Sequence, residues 1–151
     1  MELTYTGKPV RVSLPEYAYA TDWILSKLIS KKLKKHLSIE ISLRKIKGLN
    51  GQTEVVDDRK YPRDFIVTIN PYLSRKSQLS TLAHELVHVK QFANGELICE
   101  INGTLQKWKD EYIDHAEVNY YDLPWEIEAW GREHGLYMRY IKHLHEENKV
   151  F

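Results

Sequence analysis

One cysteine in 151 residues, Cys99, excludes an internal disulfide, and with it both a disulfide framework and a thiolate-rich metal site. The chain also lacks a charged-then-apolar leader, and no uninterrupted apolar stretch reaches the length that crosses a bilayer. A soluble, cytoplasmic protein with no membrane partner is the expectation. Internal repeats, low-complexity tracts and linkers rich in Pro, Gly or Ser are missing too, so nothing divides the chain. One domain over residues 1–151 is expected, large enough to bury a core without a stabilising metal. A metal ion here would serve chemistry rather than folding.

Strong charge of one sign is absent: the net charge is +1. It divides unevenly, with 14 Lys/Arg against 8 Asp/Glu in residues 1–75 and 8 against 13 in residues 76–151. The basic excess centres on Lys31-Lys32-Leu33-Lys34-Lys35, a run able to attract phosphate backbones or acidic partners. With no nucleic-acid motif beside it, the run reads first as a solvated helix face, and nucleic acid is the weaker expectation. The sequence carries no signature of oligomeric state.

The segment Pro9–Leu14 alternates like a strand, and the apolar spacing from Tyr19 to Leu37 predicts an amphipathic helix. Ser38–Arg44 alternates strictly, placing Ile39, Ile41 and Leu43 on one strand face. Asn50-Gly51 marks a turn, Thr53–Val56 a weaker strand and Phe65–Ile69 a deeply buried one, together a meander. A helix follows over Arg75–Asn94. A hairpin about Asn102-Gly103 joins Leu97–Ile101 to Thr104–Trp108, and a last helix runs from Pro124, with Asp122 as cap, to about His145. The fold class is α+β, a small twisted sheet with an N-terminal helix and two further helices.

Within the Arg75–Asn94 helix stands His84-Glu85-Leu86-Val87-His88. At ~100° per residue the two histidines lie one turn apart on one face, close enough to reach a single ion. Ser77, Thr81 and Gln91 extend that polar stripe, Leu79, Leu82, Leu86, Val89 and Ala93 oppose it, and Lys76, Lys90 and Asn94 form a third, solvent-facing side. Two polar sides separated by apolar residues suggest that the histidines look into a cleft. Neutral imidazole suits zinc, whose catalytic sites pair three protein ligands with water. Glu85 points about a quarter-turn away, placed to take a proton from that water as general base.

The third ligand must come from downstream, and His115, Glu117, Glu126, Glu128, His134, His143 and His145 are candidates. Glu126 and Glu128 differ by ~200° around a helix, so only one of them can face the ion. Glu126 fits best, because Ala129 on its side lets two helices approach and the helix N-terminus favours its charged form. His115 and Glu128 remain rivals. His134 and His143 read as surface or packing residues. Tyr120 and Tyr121, just ahead of this helix, carry hydroxyls able to stabilise an oxyanion.

His84-Glu85-Leu86-Val87-His88 followed by Glu126-Ile127-Glu128-Ala129 resembles the gluzincin metallopeptidases, and more closely the compact minigluzincins and small phage or bacterial metallopeptidases. The resemblance spans roughly residues 62–134. It implies a single compact zincin-like domain with an HExxH active-site helix, a C-terminal glutamate helix, one zinc ion and a peptide or protein substrate. It also implies that Phe65–Asn70 is the edge strand beside the cleft. The family's motif continues to an Asp where Trp130 stands here, leaving support for the histidines unassigned. A second similarity is to SprT-like, DNA-associated zincins, whose third ligand is a histidine; a metal-stabilised binding module without turnover is the alternative of another class.

Overall fold

The computed structural model describes the chain from Met1 to Phe151, the side chain of Glu100 excepted. The chain opens on a strand, β1 (Glu2–Gly7), ahead of the first strand expected from the sequence. Pro9–Leu14, expected as a strand, is instead irregular up to Ser13 and enters α1 (Leu14–Leu28) at Leu14. Arg11 takes a φ of 67° there, which an extended strand does not accommodate. Ser13 then accepts the N–H of Glu16 and caps the helix.

The helix expected over Tyr19–Leu37 divides at Ser30, whose side chain accepts the N–H of Leu33 and starts the short α2 (Lys31–Lys35). A serine offers the backbone this alternative partner, while the apolar spacing runs on across the break. Lys31, Lys32 and Lys35 are exposed, and Lys34 pairs with Asp22 at 2.8 Å.

The main sheet has the order β1-β2-β4-β3, built with β2 (Ser38–Leu43), β3 (Gly51–Val55) and β4 (Asp64–Ile69). β1, β2 and β4 are parallel and β3 is antiparallel to β4, so the expected meander is replaced by a mixed sheet. Phe65–Ile69 belongs to an interior strand, which corrects its assignment as the edge. An apolar run paired on both sides and covered above and below is the interior position its sequence describes. The edge beside the cleft is β3. Its preceding turn falls at Lys47-Gly48, with Gly48 at φ 78°, rather than at Asn50-Gly51.

Ser74 caps α3 (Arg75–Ala93). From Gln78 to Ala93 every residue but Ser80 is buried, so α3 is the central helix of the molecule. Lys90 is therefore not solvent-facing: its ammonium pairs with Glu128 at 2.7 Å and Glu96 at 3.0 Å. A small antiparallel sheet follows, β5 (Leu97–Asn102), β6 (Leu105–Trp108) and β7 (Glu111–Asp114). Gly103, at φ 59°, makes the first turn, and Lys109 makes the second at φ 53° without the glycine that would have marked β7 in the sequence. After a 3-10 turn (Tyr120–Asp122), α4 (Pro124–Glu146) packs along α3. Leu123 occupies the cap position and Asp122 does not cap. Among the described residues, no helix is long and apolar enough to cross a membrane.

Candidate metal centre

α3 carries His84 and His88 one turn apart, with ring centroids 5.0 Å from each other. α4 packs along α3 with the small side chain of Ala129 fully buried, and the first turn of α4 lies over the imidazoles. Glu126 then reaches both: Oε2 lies 3.2 Å from His84 Nε2 and Oε1 3.2 Å from His88 Nε2. One ligand atom from each of the three buried residues lies within 4.8 Å of the other two.

The opposite ring nitrogens have their own partners. His84 Nδ1 is 3.2 Å from Glu133 Oε2, and His88 Nδ1 is 2.8 Å from Gln91 Oε1. The Gln91 amide donates in turn to Glu128 Oε1 and the Trp125 carbonyl, each at 2.9 Å. A carboxylate and an amide oxygen accept only, so both Nδ1 atoms carry the proton in the neutral rings. Two Nε2 lone pairs then face the Glu126 carboxylate, an arrangement of acceptors that either a metal ion or protons on the imidazoles can bridge. Imidazole nitrogen with carboxylate oxygen is a donor set for a borderline divalent ion, and the residues fit one.

Without a metal the same geometry shifts the ligands' acidities. Burial pulls His84 down, but Glu126 and Glu133 outweigh it and hold its pKa up at about 9. His88 is likewise raised, with burial opposed by Glu126 and Glu85. For Glu126, burial acts upward and is overcome by hydrogen bonds from His84, His88 and Tyr120, which keep the carboxyl well below the usual range. Each group holds the other in the charged form.

Glu85 stands outside this group and faces β3. Thr53 Oγ1 donates to Glu85 Oε2 at 2.7 Å and to the Glu85 carbonyl at 3.0 Å. Burial pushes the Glu85 carboxyl up, with His88, Thr53 and His84 acting against it. The edge strand can come this close only through Gly51, where a Cβ would lie 2.5 Å from Thr81 Cγ2 and 2.8 Å from the Thr68 carbonyl oxygen. The cleft opens on both sides of the site. A cavity of about 590 Å³ reaches toward the start of α3, and one of about 210 Å³ lies toward Phe92, Leu97 and Trp125.

Of the other residues singled out in the sequence, Tyr120 donates its hydroxyl to Glu126 Oε2 at 2.8 Å, and Tyr121 lines the larger cavity at 69 % exposure. His115 is exposed beside the β5–β6 turn, its N–H bonded to the Thr104 carbonyl, and stands outside the group of three. Glu128 turns away from it toward Lys90, Gln91 and Arg132, as the ~200° separation from Glu126 requires. His143 packs on Trp23 and meets the Tyr19 hydroxyl at 2.8 Å, and His134 is exposed. Thr53 and Glu133 were not singled out in the sequence. Gln91 was, as part of the histidine stripe.

The model of the Peptidase_M78 family, described as the IrrE N-terminal-like domain, matches residues 36–119. The match includes His84, Glu85 and His88 and ends before Glu126. No curated protein and no solved structure matches the chain. The family match takes in more than half of the chain and centres on the helix that carries the two histidines, and the chain belongs to the Peptidase_M78 family.

Proposed function

We propose that the chain is a zinc-dependent metallopeptidase of the gluzincin kind, in which His84, His88 and Glu126 hold one zinc ion and Glu85 is the general base. The observation that carries this reading is the buried group of three acceptors around a common point, with Glu85 beside it and an open cleft on either side. Bound there, zinc acidifies a water molecule and polarises the substrate carbonyl.

The chain's own residues do the rest. Glu85 accepts the proton of the attacking water and delivers it to the nitrogen of the amine that departs as the C–N bond breaks. Its burial favours the protonated form it must pass through, and Thr53 fixes one of its oxygens. Glu133 and Gln91 hold the two imidazoles in the tautomer that presents Nε2. Tyr120 lines both cavities, and turning its hydroxyl away from Glu126 Oε2 would let it donate to the charge that develops on the carbonyl oxygen. The free edge of β3 offers backbone groups to an extended peptide.

The test is digestion of denatured casein with and without chelator, by the native chain and by Glu85→Gln. The native chain cleaves and chelator stops it. Glu85→Gln keeps its metal and loses about 10²–10⁴-fold in rate. A protein that binds zinc and never cleaves is a binding module, and loss of metal from Glu85→Gln would make Glu85 structural.

A further inference from the structure

Lys90, on the helix that carries the two histidines, is buried at 8 % exposure and takes no part in bond cleavage. Burying an ammonium is costly unless it is paired and hydrogen-bonded. Its three donors are used: Nζ lies 2.7 Å from Glu128 Oε2, 3.0 Å from Glu128 Oε1 and 3.0 Å from Glu96 Oε2. Two apolar side chains of similar volume would join α4 to α3 at less cost, so what the ion pair adds is direction. With Lys90 on both carboxylate oxygens and Arg132 Nε 3.1 Å from Oε2, Glu128 turns Oε1 to the Gln91 amide 2.9 Å away.

Gln91 is fully buried between this ion pair and the histidines. Its amide N–H groups go to Glu128 Oε1 and the Trp125 carbonyl, which leaves its oxygen to face His88 Nδ1 at 2.8 Å. Turned over, the amide would offer Nδ1 a donor, and the imidazole would answer with the other tautomer, whose protonated Nε2 binds no metal. The two histidines are therefore supported differently. His84 meets a carboxylate directly, whereas His88 meets a neutral amide with a carboxylate behind it. Hydrogen bonds in a chain polarise one another, so the Glu128 charge makes the Gln91 oxygen a stronger acceptor.

We propose that Glu128, aimed by Lys90, is a positioning residue that acts through Gln91 to hold His88 in its metal-binding tautomer and orientation. This inference rests on the metal-binding part of the metallopeptidase reading and needs no cleavage.

The experiment measures zinc affinity by chelator competition for the native chain, Gln91→Met, Glu128→Ala, Lys90→Met and the Gln91→Met/Glu128→Ala double variant. Melts of the metal-free proteins establish that each is folded, and Glu128→Gln replaces Glu128→Ala if the latter is not. Gln91→Met weakens binding about 10–100-fold. Glu128→Ala weakens it about fivefold, and Lys90→Met changes it in the same direction. In the Gln91→Met background Glu128→Ala has no further effect, because its route to His88 is gone. Nitrogen NMR of the zinc-loaded proteins gives a second reading: the His88 Nδ1 proton exchanges with solvent faster in Lys90→Met than in the native chain. A Glu128 that merely braces α4 would weaken binding by the same factor with or without Gln91, and that result overturns the proposal. Native affinity in Glu128→Ala, or unchanged proton exchange in Lys90→Met, overturns it too, and in these cases the native chain's own zinc binding leaves the metal centre standing. A native chain that binds no zinc overturns the metal centre and this inference together.

Discussion

Glu133 lies seven residues after Glu126, two turns along the same side of α4, and from there its carboxylate meets the outward nitrogen of His84. Glu133→Ala weakens zinc binding by about 10–100-fold in a chelator competition, because no acceptor then fixes the His84 tautomer; unchanged affinity would make the contact incidental. His84, Glu85 and His88 were legible as residue types at fixed spacing, and Glu126 as the best placed of several downstream candidates. Glu133 was not. The family pattern points to position 130, where the tryptophan packs edge-on against the imidazole, and reaching His84 from position 133 depends on how α4 crosses α3. Thr53 escaped for a similar reason, since strand alternation gives its face but not the helix residue opposite it. His115 and Glu128 stayed open as rivals in the sequence because chain distance excludes no ligand. Glu128's lost place follows from helix geometry alone.

At the scale of elements, the contact that sets the site is the approach of β3 to α3 through Gly51. Gly51→Ala forces the strand away from Thr81 and the Thr68 carbonyl, costing about 1–3 kcal/mol in a denaturant titration and lowering cleavage by moving Thr53 from Glu85. A variant as stable and as active as the native chain would show that the strand has room to spare. Periodicity located β2, β4, α3, the β5–β6 hairpin and α4 closely, because each buries one clear face or carries a clear turn. It misplaced the N-terminal elements, where Ser13 and Ser30 start helices that apolar spacing does not punctuate. It also could not give strand order: β4's apolar run marks burial, and only the parallel pairing with β2 shows that β3 is the edge. Lys90 misled for the opposite reason, because a charge at a helical position reads as solvent-facing until its partners Glu96 and Glu128 are known.

For the whole molecule, binding of a metal by His84, His88 and Glu126 would couple to stability through protons. In the metal-free chain the pKa of His84 rises from 6.5 to about 9, so its stabilising effect is complete below about pH 6.5 and is lost as pH rises through 9. Glu126 shifts the other way from 4.5, so its effect is present above about pH 4.5 and is lost as pH falls through its depressed value. Thermal melts of the metal-free protein should therefore decline between pH 6.5 and 9. Zinc reverses that trend, since it binds deprotonated imidazole and gains affinity as the proton leaves. A metal-free melt that stays flat over this range would separate His84 from the acidic groups around it. Saturating zinc at about 1,000 times its Kd adds about 4 kcal/mol, provided the unfolded chain does not bind it. The central claim is that His84, His88 and Glu126 share one ion, and anomalous diffraction from a zinc-soaked crystal at the zinc edge tests it most directly. One strong peak is expected about 2.0–2.2 Å from Nε2 of His84, Nε2 of His88 and a carboxylate oxygen of Glu126. No peak there, or a peak held by other residues, would contradict it.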